Sequence, residues 1–313
     1  MEVKKLLESG KIMKLCGLSN ENAQYTDNIV SIEERSAEDG DVSCICEVIL
    51  GDSKGKMLTV RETNLMEIPS PPPEQVESLD EEFCNLHKAF HETRISERSS
   101  DQREAINSIY KKAQDMLIDL PNDCMLWDFH FQLSKLFVLF VNLLCFDFIS
   151  HITTAHYLGL GGSAERLKCI QRAIANPIHL GEADDSDKMY MIGNLADNFR
   201  SQDREKDAQT LFKYIIDSNL IPADLYRFHL ANSYMQTREY DEAGDILSSL
   251  YCKRVFEARS EYLSFFEEQN RGVCFREAIY RMLDHLNEHY FDLGQEHSKK
   301  GEALAAAGNQ AGN

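Results

Sequence analysis

Apolar positions between Met189 and Lys253 fall in a pattern that repeats. Leu195, Ala196 and Phe199 precede Ala208, Phe212 and Ile215; thirty-five residues later Leu230, Ala231 and Tyr234 precede Ala243, Leu247 and Leu250. Within each group the spacing of one, three or four residues marks one face of a helix. The pattern predicts two copies of a helical hairpin in a single register. Alanines at 196, 208, 231 and 243 let paired helices approach. Phe199 and Tyr234 fill the space between them, Phe212 and Leu247 cap each hairpin, and Pro222 closes the first copy.

Helical periodicity extends on both sides. Phe83, Leu86, Phe90 and Ile95 form one stripe, and Ile106, Ile109, Tyr110, Ala113, Leu117 and Leu120 form another that Pro121 ends. The stretch 125–152 is apolar nearly all round, which predicts a buried pillar. Ser134, Lys135, Asn142, Asp147, Ser150 and His151 lie within it, more polarity than a membrane span tolerates. Gly159, Gly161 and Gly162 break the pattern as a hinge, and Ala164–Ala175 resumes it until Pro177. Val255–Phe266 and Val273–Leu293 are helical in pattern, and residues 306–313 are expected to form a flexible tail.

Residues 1–68 alternate differently. Met13 and Leu15 flank Lys14, Ile29, Val30 and Ile32 follow, and Val42–Leu50 and Met57–Val60 are β-branched runs separated by Gly- and Asp-rich turns. Four or five short strands in this length predict a small barrel. Gly10-x-x-Met13-x-Leu15-x-Gly17-Leu18, then Asn28-Ile29-Val30, then Val60-Arg61-Glu62-Thr63-Asn64-Leu65, resemble a small SH3-like barrel of algal and protist proteins, with Asn28 where that family usually has Gly. The resemblance implies an adaptor role and no chemistry. Pro69, Pro71, Pro72 and Pro73 predict a stiff extended linker over 69–79, and a helical domain is expected over 80–305.

The hairpin period, with Tyr240 ahead of Asp241-Glu242-Ala243, resembles the tetratricopeptide repeat (TPR). The fold class expected is therefore mainly α, a TPR-like antiparallel hairpin array with a small N-terminal β-barrel. The resemblance implies a concave face, lined by first helices, that takes a peptide or a partner helix. Asn194, Asp197, Phe228 and Asn232 are the candidate partner contacts. The set by which such repeats grip a C-terminal carboxylate is incomplete: Gly193 and Phe228 stand where a lysine is expected, and Asp197 where an asparagine is.

Charge narrows the partner. The 52 acidic and 33 basic residues leave a formal net charge of −19. That excess opposes nucleic acid and anionic membrane and favours a basic or neutral protein. Nine scattered cysteines with no Cys-x-x-Cys pair are expected to be reduced, mostly buried thiols, consistent with a cytoplasmic location; Cys44 and Cys46 share one strand face. Met1–Gly10 lacks the apolar core of a secretory signal.

Chemistry is thinly represented. His87 with His91, and His285 with His289, have the spacing of a metal pair, but no His-Glu-x-x-His or Glu-x-x-His accompanies them. Gly159-x-Gly161-Gly162 matches no phosphate loop, and no nucleophile motif is present. The expectation is a non-enzymatic adaptor or scaffold without a cofactor. A structural subunit of a larger assembly, and a helical metal protein or enzyme using the histidine pairs, are the alternatives.

Overall fold

The computed structural model describes residues 2–18, 20–38, 41–50, 53–95, 100–143, 163–181, 183–252 and 275–310. Contacts divide the chain into two compact units, Met1–Asn198 and Phe199–Asn313. The expected glycine hinge at 159–162 and the expected helix at 255–266 lie outside the described residues.

The first unit opens with helix α1 (Glu2–Glu8), then strands β1 (Ile12–Leu15), β2 (Ile29–Glu38), β3 (Asp41–Val48), β4 (Met57–Arg61) and β5 (Leu65–Glu67). They form one antiparallel sheet in the order β4-β3-β2-β1-β5. Alternation places Leu15, Val30, Ile32, Cys44, Cys46, Val48, Leu58 and Val60 on one buried face. Both cysteines point inward as their spacing predicts, and burial pushes the Cys46 thiol up to about 12. The barrel expected from the strand count is corrected: the sheet is open, with β4 and β5 as its edges. A 3-10 turn at Glu62–Asn64 separates β4 from β5, which is three residues long and pairs with β1, and among the described residues no β4–β5 pairing closes the ring.

Helices α2 (Pro73–Ile95), α3 (Ser100–Asp119), α4 (Cys124–Leu143), α5 (Ser163–Ala175) and α6 (Asp185–Arg200) follow, with α2 on α3, α3 on α4 and α4 on α5. Residues 73–79 are the first turns of α2 and not part of an extended linker. Proline suits a first helical turn because the N–H it lacks would have had no partner there, and Gln75 and Val76 both donate to the Pro72 carbonyl. The apolar side chains of α4 from Leu126 to Leu133 are buried. Asp123 caps α4 through Leu126 N at 2.7 Å, and its other oxygen accepts from His179 N (2.9 Å) and Leu180 N (3.0 Å). One buried carboxylate thus ties the loop after α5 to the start of α4.

The sheet is joined to α5. The Asn176 side chain accepts from Ile12 N and donates to Gly10 O, both at 3.0 Å. Arg172 is 3% exposed and meets Glu47 at 2.7 Å and Glu33 at 3.7 Å. Its guanidinium stands 4.8 Å from the Trp127 ring centroid. A bulge explains Glu33: Ile32 faces Cys46 and Glu34 faces Ile45, so Glu33 is the extra residue, turned out of the ladder.

The second unit holds α7 (Glu205–Ser218), α8 (Asp224–Gln236), α9 (Tyr240–Cys252) and α10 (Phe275–Gln310), each packed on the next. Helix α10 runs on to Gln310, into the stretch expected as a flexible tail. The run Glu302-Ala303-Leu304-Ala305-Ala306-Ala307 consists of strong helix formers, and it continues α10.

Candidate protein-interaction surface

The thirty-five-residue period reappears in the backbone. After α6, Arg204 N donates to Phe199 O at 2.9 Å; after α8, Glu239 N donates to Tyr234 O at 2.9 Å. Ala208 N to Arg204 O and Ala243 N to Glu239 O are both 3.2 Å. Asp203 (φ 58°) and Arg238 (φ 62°) occupy the left-handed region at the same step of each turn. This is a Schellman end, in which one left-handed residue lets the chain leave the helix while its last carbonyls stay bonded. Equivalent turns at equivalent positions repeat the conformation of the turn as well as the sequence pattern.

Side chains lock the second turn onto α7. Lys206 Nζ meets Glu239 Oε1 at 2.5 Å. Gln209, itself buried, donates to Thr237 Oγ1 (2.9 Å) and Glu239 Oε1 (3.2 Å), and Thr237 also bonds Glu239. The Lys206 bond first, then that from Thr237, bring the Glu239 carboxyl down to about 2. Ser233 bonds Glu205 across the same junction. These contacts set the register of α7 against α8.

The four candidate contact residues differ in what they offer. Asp197 is exposed, and Asn194 and Asn232 are half-buried. The Asn194 carbonyl accepts Asn198 Nδ2 at 2.9 Å. Phe228 is 7% exposed, so its ring belongs to the core and little of it can meet a partner. The cause lies in its helix. α8 packs against both α7 and α9, and Tyr226, Phe228, Leu230, Ala231, Ser233 and Tyr234 are all buried around it. Asn194 and Asp197 belong to the first unit, Phe228 and Asn232 to the second.

Three of the four paired histidines, His87, His91 and His289, make ring contacts. His87 and His91 have ring centroids 4.6 Å apart, and His87 also lies 5.7 Å from Phe129. Burial first, then His91, lowers the His87 pKa. His289 packs on Tyr240 at 4.0 Å, whereas His285 faces Glu288 at 4.0 Å. Among the described residues no group of three or more His, Cys, Asp or Glu is placed to hold a metal ion. Among them, too, no helix is long and apolar enough to cross a membrane.

No family model and no curated protein matches the chain. Solved structures that resemble it include a kinesin light chain-like protein of Podosopora anserina with nearly identical TPR-like repeats (TM-score 0.40, 14% identity, 74% of this chain and 96% of that one). A second form of that protein gives a TM-score of 0.35 at 12% identity, covering 73% and 96%. MamA gives 0.32 at 12% identity, covering 62% and 94%.

Proposed function

We propose that this chain is a non-enzymatic, cytoplasmic protein-interaction adaptor built on repeated helical hairpins, which takes a peptide or partner helix of basic or neutral character. The observation that carries the reading is the thirty-five-residue recurrence of hairpin and turn, in which the matched residues are packing residues. Repeats of this kind spend their buried positions on stacking and leave their exposed first-helix positions to vary with the ligand. Contacts are proposed at Asn232 in the second unit and, in the first, at Asn194 and Asp197. Affinity purification from the native cell with mass spectrometry tests this. Alanine at Asp197 or at Asn232 should reduce recovery of a partner while the melting temperature holds. Unchanged recovery with every variant would overturn the proposed contacts.

Exposed aromatics favour a second reading. Tyr280 (58% exposed) and Phe291 (66%) stand on α10, as they would in a subunit whose neighbour covers them. Light scattering separates the two, because a stable monomer speaks against an obligate subunit.

A further inference from the structure

A furrow of ≈ 530 Å³ runs along the α2–α3 hairpin. Its floor is Leu86 and Ile109, both buried, with Ala89 and Ala105 half-buried beside them. On α2 the lining positions Glu82, Leu86, Ala89 and Thr93 are spaced by three or four, a single stripe along the helix. Phe83 and Phe90 of α2 point elsewhere, onto Phe129 of α4 at 5.8 and 5.2 Å, so the furrow uses another face of the hairpin.

We propose that this furrow docks a basic amphipathic helix of a partner protein, a surface separate from the repeat contacts proposed above. Its place between two helices and the small Ala89 and Ala105 beside its floor suit a helix, whose side-chain ridge can settle between α2 and α3. Charge selects the sign. Exposed Glu81 and Glu82 form the α2 wall, and residues 73–82 carry five acids and no base. Asp80, one of the five, is engaged with Gly181 N at 2.7 Å and stands apart from the wall. Among the described residues lining the furrow, Lys112 is the one cation, on the α3 side. An occupant with Lys or Arg along one flank and small apolar residues on its contact stripe meets all these features. A second copy of this chain, at net charge −19, meets the acidic wall with like charge.

The probe is a fluorescent helical peptide of roughly 18 residues, about 27 Å long, with Ala and Leu at i, i+3, i+4 and i+7 and Lys elsewhere. Anisotropy with the full chain at physiological salt should show it binding about tenfold tighter than a scrambled peptide of equal composition. Glu81→Lys with Glu82→Lys should lose that preference, as should Ala105→Trp, which fills the floor. Melting curves confirm that the variants fold, and the exposed rim pair serves as the readout if Ala105→Trp does not. Glu242→Lys with Asp245→Lys, which removes exposed acids from α9, should leave binding unchanged. Equal binding of the scrambled peptide, or an equal loss in the α9 variant, would overturn the proposal.

Discussion

Gly10 lies so close to α5 that a Cβ placed on it would stand 2.6 Å from the backbone nitrogen of Arg172. Its φ of 93° is one that side-chain-bearing residues rarely adopt. Gly10→Ala therefore meets two penalties at once, strain and a backbone clash that neither segment can relieve by rotating a side chain. The expected loss is at least ~3 kcal/mol, measured by urea denaturation. A variant within about 0.5 kcal/mol of the parent would show that the sheet does not rest on α5 as described.

Arg172 and Lys168 both reach Glu47, but at different burial. The Arg172 side chain is nearly enclosed, and that of Lys168 is 29% accessible. Arg172→Met takes the buried guanidinium from Glu33 and leaves Glu47 with Lys168 alone, and should cost ~3 kcal/mol. Lys168→Met should cost no more than ~1 kcal/mol, as solvent screens the partly exposed pair. Equal costs would contradict the burial order.

His130 sits between Tyr110 and Trp127, with ring centroids at 5.1 and 5.9 Å. Burial brings its pKa down to about 4, with nearby Lys54 and Arg172 acting in the same direction and a bond to the Ala113 backbone opposing. The folded state keeps it neutral while the unfolded chain takes up a proton near pH 6.5. Its contribution is present above that pH and is lost as pH falls toward 4, up to ~3 kcal/mol. His87 pulls the same way; buried Asp123, raised by desolvation, pulls the other. The test is therefore a difference: urea midpoints at pH 7 and pH 4.5 should diverge less in His130→Phe than in the parent.

Arg238 pays for its left-handed backbone without being a glycine. Arg238→Gly removes a strain of ~1–2 kcal/mol against a chain-entropy cost of ~0.5–1 kcal/mol. The melting temperature should rise, and Arg238→Val should lower it. The same pair of substitutions at Asp203 should act in the same direction with a smaller gain from glycine, since aspartate tolerates the left-handed region better than arginine does.

Local patterns were legible in the sequence; long-range ones were not. The stretch Ala164–Ala175 became α5 almost residue for residue, because three-four spacing and Pro177 are local signals. The paired alanines and Tyr240 located α7 and α9 for the same reason. Residues 73–79 misled because proline favours both an extended segment and a helix's first turn, and composition cannot choose between them. Phe228 occupies a first-helix position, yet α8 is covered from more than one direction, which a single-face reading does not capture. The open sheet depended on what β4 and β5 pair with, and its union with α5 on Asn176, far along the chain from Ile12.

That separation has a consequence for how the molecule is made. Ile12 leaves the ribosome 164 residues before the asparagine that receives its N–H. At a synthesis rate of about 5–20 residues per second the wait is roughly ten to thirty seconds. Through that interval Glu33 and Glu47 have no guanidinium opposite them, and the open edges of the sheet are available to any strand nearby. The nascent chain is most exposed to mispairing before α5 emerges, so a chaperone that shields strand edges would have its greatest effect then.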